Sequence, residues 1–153
     1  MSEPTETLTL TMSRLIPATP DEVFDAYTDP EKQKIWFSLL SDEPGIVEIE
    51  SDLRVGGVQT ATWGPSRDEL ITEVQTFEVI DRPHRLVTTS RGHDPSGNTM
   101  ETQIDVTFED ADGGTMMTVT QSGFPTVEMR DFFSTYVMVG AFDRIVAFFE
   151  RAA

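Results

Sequence analysis

Apolar side chains between Thr7 and Ile16 alternate with threonine and serine as Leu8, Leu10 and Met12, the period of two expected of a strand with one buried face. Thr19-Pro20-Asp21-Glu22 then has the layout of a helix start: threonine as N-cap, proline at the first helical position and a glutamate placed to close a capping box. The helix is predicted to run to about Thr28. Asp29-Pro30-Glu31 repeats the arrangement with an acid at the positive end of the helix dipole, and the second short helix carries Ile35, Trp36 and Phe37.

Strand patterns fill the middle of the chain. Ile46 to Glu50 and Val58 to Trp63 flank Arg54-Val55-Gly56-Gly57, whose glycines suit a turn or bulge. Leu70 to Ile80 and Arg85 to Arg91 lie on either side of Asp81-Arg82-Pro83, where proline removes a ladder donor. Gly92 to Asn98 is predicted to be a turn. Met100, Thr102, Ile104, Val106 and Phe108 then point one way and Glu101, Gln103, Asp105, Thr107 and Glu109 the other. Asp110 to Gly114 makes the next hairpin turn, after which Met117, Val119 and Gln121 continue the inward face. Gly123-Phe124-Pro125-Thr126 ends the strands and opens a helix from about Thr126 to Arg151. Its apolar stripe is drawn by Phe132, Val139, Phe142, Val146 and Phe149 and widened by Met138 and Ile145. This order predicts an α+β fold in which a curved antiparallel sheet of about seven strands wraps the last helix, with either a core or a ligand cavity between them.

The length, 153 residues, suits one domain over 1–153. Asp and Glu number 27 against 11 Lys and Arg, a formal charge of −16, so phosphate backbones and anionic lipid surfaces would repel the chain and nucleic acid is not an expected partner. Cysteine is absent, which excludes a disulfide scaffold, thiolate metal sites and a cysteine nucleophile while leaving the redox compartment open. Met1 to Thr9 carries two glutamates and no basic residue ahead of an apolar stretch, the opposite of a secretory signal, so the cytoplasm is the expected location. The uncharged run Phe132 to Phe142 falls short of the ~20 residues of a spanning helix, and no membrane insertion is expected.

Several stretches together resemble one family. They are Arg14-x-Ile16-x-Ala18-x-Pro20-x-x-Val23-Phe24-x-Ala26-x-Thr28-Asp29-Pro30 with Trp36-Phe37, Asp52-Leu53-Arg54-Val55-Gly56-Gly57, Pro83-x-Arg85-Leu86-Val87, Gly114-Thr115-x-Met117-Thr118-Val119-Thr120-Gln121, and Asp143-Arg144-Ile145. In this order the chain resembles the START/SRPBCC superfamily, with its helix-grip fold, and within it the branch named after the activator of the heat-shock-protein-90 ATPase. The resemblance implies a cavity between sheet and last helix that holds a small apolar or amphipathic molecule. Where members of this branch often carry Gly-Trp, this chain has Val137 and Met138, which implies a narrower or differently shaped pocket. The co-chaperone that gave the branch its name carries an additional client-binding domain for which 153 residues leave no room.

The candidate ligand-binding residues are Trp36, Trp63, Phe77, Met100, Met117, Phe124, Phe132, Tyr136 and Val139, since pockets are mostly apolar with a few polar anchors. Taken singly, each is better explained by ordinary packing, and it is the resemblance that favours a pocket for the group. Tyr136 is the leading polar anchor, expected to be a buried phenol in need of a hydrogen-bond partner. Glu73 and Gln75 share a face with Ile71, Phe77 and Val79, so either they reach the cavity or the strand twists at a bulge; if desolvated, Glu73 is the weak candidate for acid–base chemistry. His84 and His93 sit beside turns without an orienting carboxylate and nucleophile in reach. Asp110-x-Asp112-Gly113 lacks the later acid and flanking helices of a calcium loop, and no lysine follows Gly56-Gly57 to make a phosphate loop. No cofactor or metal is expected. The reading is a binder of a small hydrophobic molecule; the alternatives are a cyclase, dehydratase or hydrolase using the same cavity, or a co-chaperone-like interaction module. Exposed edge strands would also offer pairing for a homodimer.

Overall fold

The structure is a computed structural model that describes residues 8–39 and 45–151; Thr7 and most of the acidic start of the chain lie outside them. Strand β1 (Leu8–Ile16) leads into helices α1 (Pro20–Thr28) and α2 (Pro30–Phe37). Strands β2 (Ile46–Ser51), β3 (Val58–Gly64), β4 (Ile71–Asp81), β5 (Arg85–His93), β6 (Thr99–Ala111) and β7 (Gly114–Phe124) follow. The chain closes with α3 (Val127–Phe132), a π-helical segment (Phe133–Val137) and α4 (Met138–Arg151). All neighbouring strands are antiparallel in the order β1-β7-β6-β5-β4-β3-β2, the sheet that the element order predicts and the helix-grip arrangement that the resemblance implies.

Local chemistry explains the helix starts. The Thr19 hydroxyl accepts from the Glu22 amide at 3.2 Å while a Glu22 carboxylate oxygen accepts from the Thr19 amide at 3.0 Å, a complete capping box. Asp29 caps α2 by accepting from the Glu31 amide at 3.0 Å, and Trp36 Nε1 donates to the Ala26 carbonyl at 2.9 Å, which ties the two helices together.

Two turns are tighter than the sequence suggests. Gly92 and His93 stay in the ladder, paired with Met100 and Thr99, so β5 continues two residues into the expected turn. The hairpin after β6 contracts to Asp112-Gly113, with Ala111 paired to Gly114. A Cβ on Gly114 would lie 2.0 Å from the Ile16 carbonyl oxygen, so only glycine lets β7 start against the end of β1. On β4 the register shifts between Phe77 and Val79. That bulge turns Val79 to the exposed outer face and hands its inward place to Ile80, which packs on the core; Ile71 is exposed at the start of the strand.

The expected single stripe on the last helix is also broken. The Met138 amide bonds to the Phe133 carbonyl, five residues back, and this wider turn rotates the residues before it relative to those after it. Phe142, Ile145 and Phe148 are buried in the core, with Met138, Val146 and Phe149 packed around them, whereas Phe132 on the far side of the π turn is 51% exposed. As one 25-residue helix, Val127–Arg151 is long and apolar enough to cross a membrane, more than its uncharged run indicated, but its α4 face is sunk among Phe24, Phe108 and Met117. Arg14 of β1 anchors it from the edge by a 2.7 Å ion pair to Asp143, with the guanidinium 5.6 Å from the centre of the Phe142 ring.

Candidate functional site

Alternation places every second residue of β3 to β7 on the concave face, and half of that face is an ordinary core. Val106, Phe108, Met117 and Val119 meet Phe24 of α1 and Phe142 and Ile145 of α4, with Phe24 and Phe108 in edge contact at 5.3 Å. The other half is polar. Gln59, Gln75, Ser90 and Thr102 stand directly across from one another on β3, β4, β5 and β6, a four-strand row of hydrogen-bonding side chains where apolar ones would pack.

The row is wired to its neighbours. Ser90 Oγ donates to Glu73 Oε2 at 2.5 Å and Gln75 Nε2 to Glu73 Oε1 at 3.1 Å, while Thr88 Oγ1 donates to Gln75 Oε1 at 2.7 Å. On β7, Gln121 Nε2 donates to Thr102 Oγ1 at 2.9 Å. From above, Gln33 of α2 donates to Gln59 Oε1 at 3.2 Å and to the Tyr27 carbonyl at 2.5 Å, which leaves its own enclosed Oε1 without a partner.

Glu73 is the only charge-bearing side chain in this network, and its register neighbours are Ala61 on β3 and Gly92 on β5. Both are small; Ala61 is buried, and Gly92 leaves a low place beside the carboxylate. A Cβ on Gly92 would find a single atom within 4 Å, the Thr72 carbonyl oxygen at 3.9 Å. Burial raises the Glu73 pKa against the lowering effect of the Ser90 and Gln75 hydrogen bonds. The phenol of Tyr27, on α1, is raised as well, by burial first and by the negative charge of Glu73 second, and so stays protonated. The π-helical segment has no buried residue, and the backbone of α4 lies nearest β1 and α2.

A surface cleft of about 280 Å³ lies elsewhere, between α1, Lys32, Arg82 and the end of α4. Its charges are matched internally, Lys32 with Asp25 and Arg82 with Asp21 at 3.2 Å and Asp25 at 3.8 Å, so it presents none of the unmet polar capacity of the concave floor.

Against known proteins, residues 17–150 match the family model described as "Activator of Hsp90 ATPase homolog 1-like protein". The chain belongs to that family. No curated protein matches it. Among solved structures it is similar to an uncharacterized protein from Rhizobium leguminosarum (TM-score 0.80, 22% identity, covering 95% of this chain and 96% of that one). A Mycobacterium smegmatis protein gives 0.72 at 25% identity over 94% of both chains, and a Staphylococcus epidermidis solution structure 0.71 at 19% over 100% and 96%. These likenesses carry the fold.

In this member of the activator-like family the residues singled out from sequence scatter. Phe77, Met117 and Phe124 are buried, and Met100, beside Gly92 in the register, is half-buried at the polar end. Trp36 and the half-buried Trp63 are bridged by Phe37, at 4.7 and 5.6 Å between ring centres. Val139 is half-buried on α4. Two expectations are overturned: Tyr136 is 66% exposed, and its ring stacks at 5.5 Å on the equally outward Phe132, so neither is an enclosed anchor. The π turn is the physical cause, because it swings that part of the helix away from the face α4 buries. The enclosed phenol is that of Tyr27, whose spacing of four from the buried Val23 was a legible helical signal. Gln59, Ser90 and Thr102 went unread because each is unremarkable within its own strand; only the register makes them a row.

Proposed function

We propose that this protein binds a small amphipathic molecule on the polar half of the concave face, its polar end on the Gln59–Gln75–Ser90–Thr102 row and its apolar body against Met100 and the aromatic group at α2. The observation that carries this reading is the in-register polar row with an unpaired acceptor, Gln33 Oε1, beside it. Buried polar groups cost stability unless they are partnered, and a row of them across four strands of a core face is explained by a polar partner that visits. Apolar burial would supply affinity at ~25 cal/mol per Å², and the polar row would set orientation. The family resemblance, with its implied cavity between sheet and helix, supports the same place.

The test uses the Gly92 gap. Straight-chain and aromatic alcohols should raise the melting temperature of the protein, and native mass spectrometry of freshly purified material should show a bound small molecule. Gly92→Val fills the low place with a strand-favouring side chain that meets little else, so it should keep the fold and lose the ligand response. A broad panel that shifts nothing, or a Gly92→Val variant that responds like its parent, would discard the reading.

A further inference from the structure

The polar half of the concave face holds acceptors with unused capacity. Glu73 offers two carboxylate oxygens, about four lone-pair sites, of which Ser90 and Gln75 fill one on each oxygen. Gln33 Oε1 meets no donor among the described residues, although Gln33 is only 4% exposed. Every ion pair formed among the described residues goes to some other acid, so Glu73 has no cation of its own. A half-buried carboxylate with no cation paired to it, flanked in the register by Ala61 and Gly92, is short of two things: a positive charge and hydrogen-bond donors.

A protonated amine supplies both at once, because it carries three donors on one compact cation. We infer that the ligand of this site is a protonated amine carried on an apolar body, with the Glu73 carboxylate as its anchor. The inference rests on the binding site proposed above and adds the chemistry of the ligand's head. The open space at Gly92 gives the ammonium room to approach Glu73. Tyr27 lends a neutral phenol nearby, and the apolar body runs toward Met100.

Octylamine, octanol and octanoate share one tail and differ in head, so their affinities by calorimetry separate the two levels of the argument. Octylamine should bind about tenfold tighter than octanol, the range of a charge-assisted bond, and octanoate weakest. Glu73→Gln should erase the preference for the amine while leaving octanol affinity within about twofold. Glu50→Gln removes an exposed acid from β2 and should leave the preference intact, which excludes simple attraction of a cation to an acidic protein. Should Glu73→Gln fold poorly, the parent alone still decides the matter. Its octylamine affinity should rise with pH through the acidic range as Glu73 ionises, with Tyr27 neutral throughout and octanol affinity flat. If none of the three probes binds, the binding site itself is wrong. If they bind without an amine preference, or keep it in Glu73→Gln, the site stands and this inference falls. Tightest binding by octanoate would also overturn it and point to Arg144, whose enclosed Nε has no partner.

Discussion

One concave face, built by the same alternation on the same strands, serves two purposes at its two ends. Under α1 and α4 its residues are Val106, Phe108, Met117 and Val119, sealed by Phe24, Phe142 and Ile145. At the other end they are Gln59, Glu73, Gln75, Ser90 and Thr102, with Gln33 of α2 reaching down to Gln59. The closed end obtains its stability from area and close packing, whereas the polar end satisfies its groups with one another and leaves some unmet. A fold can keep a site on a core face when stability is concentrated at one end of that face.

The sharpest way to break the comparison is at the closed end. Phe108→Ala removes the ring that meets Phe24 at 5.3 Å and Tyr27 at 6.0 Å, and should cost about 3–5 kcal/mol in denaturant unfolding. A comparable substitution at the polar end should cost less: Gln75→Ala leaves the Thr88 hydroxyl and one Glu73 oxygen without their partner, a loss of about 1–3 kcal/mol. A control far from both ends, Thr19→Ala, deletes one arm of the capping box and should cost about 1 kcal/mol without affecting ligand response.

The polar end should also carry a pH signature that the closed end lacks. Because burial raises the Glu73 pKa, the native state holds this proton more tightly than the unfolded chain does, and stability falls as pH climbs from the ordinary value of 4.5 through the raised one. Tyr27, the titratable group facing it, stays protonated over that interval. Urea midpoints measured from acidic to neutral pH should show this decline in the parent and a flatter curve in Glu73→Gln. The smallest effect belongs to Tyr136→Ala, expected to change stability by less than about 0.5 kcal/mol because the ring is 66% exposed. A larger loss would show that the π-helical segment is held down after all.

Much of the fold was legible because its signals are local. Thr19 with Glu22, Asp29 before Pro30, and the alternation through Met100 to Phe108 each need only near neighbours, and the elements formed where those signals lie. The resemblance over Arg14 to Pro30 and Gly114 to Gln121 led to the family that residues 17–150 match. The site was legible only in fragments. Glu73 and Gln75 were marked by sharing a face with Phe77, and of the two readings of that strand the structure shows the bulge, which follows Phe77 and turns Val79 outward.

What the sequence by itself determined is periodicity: which residues of each strand share a face, where helices begin, and that a strongly acidic, cysteine-free chain makes an antiparallel sheet around a helix. What tertiary structure decided is register and rotation. Pairing across four strands turned Gln59, Gln75, Ser90 and Thr102 from isolated polar residues into one row, and a single wide helical turn sent Tyr136 outward while Tyr27, on a different helix, became the enclosed phenol. The reason is physical: a period is set by bonds within a segment, but the residue that lies opposite another depends on hydrogen bonds between segments, and no single stretch of chain contains those.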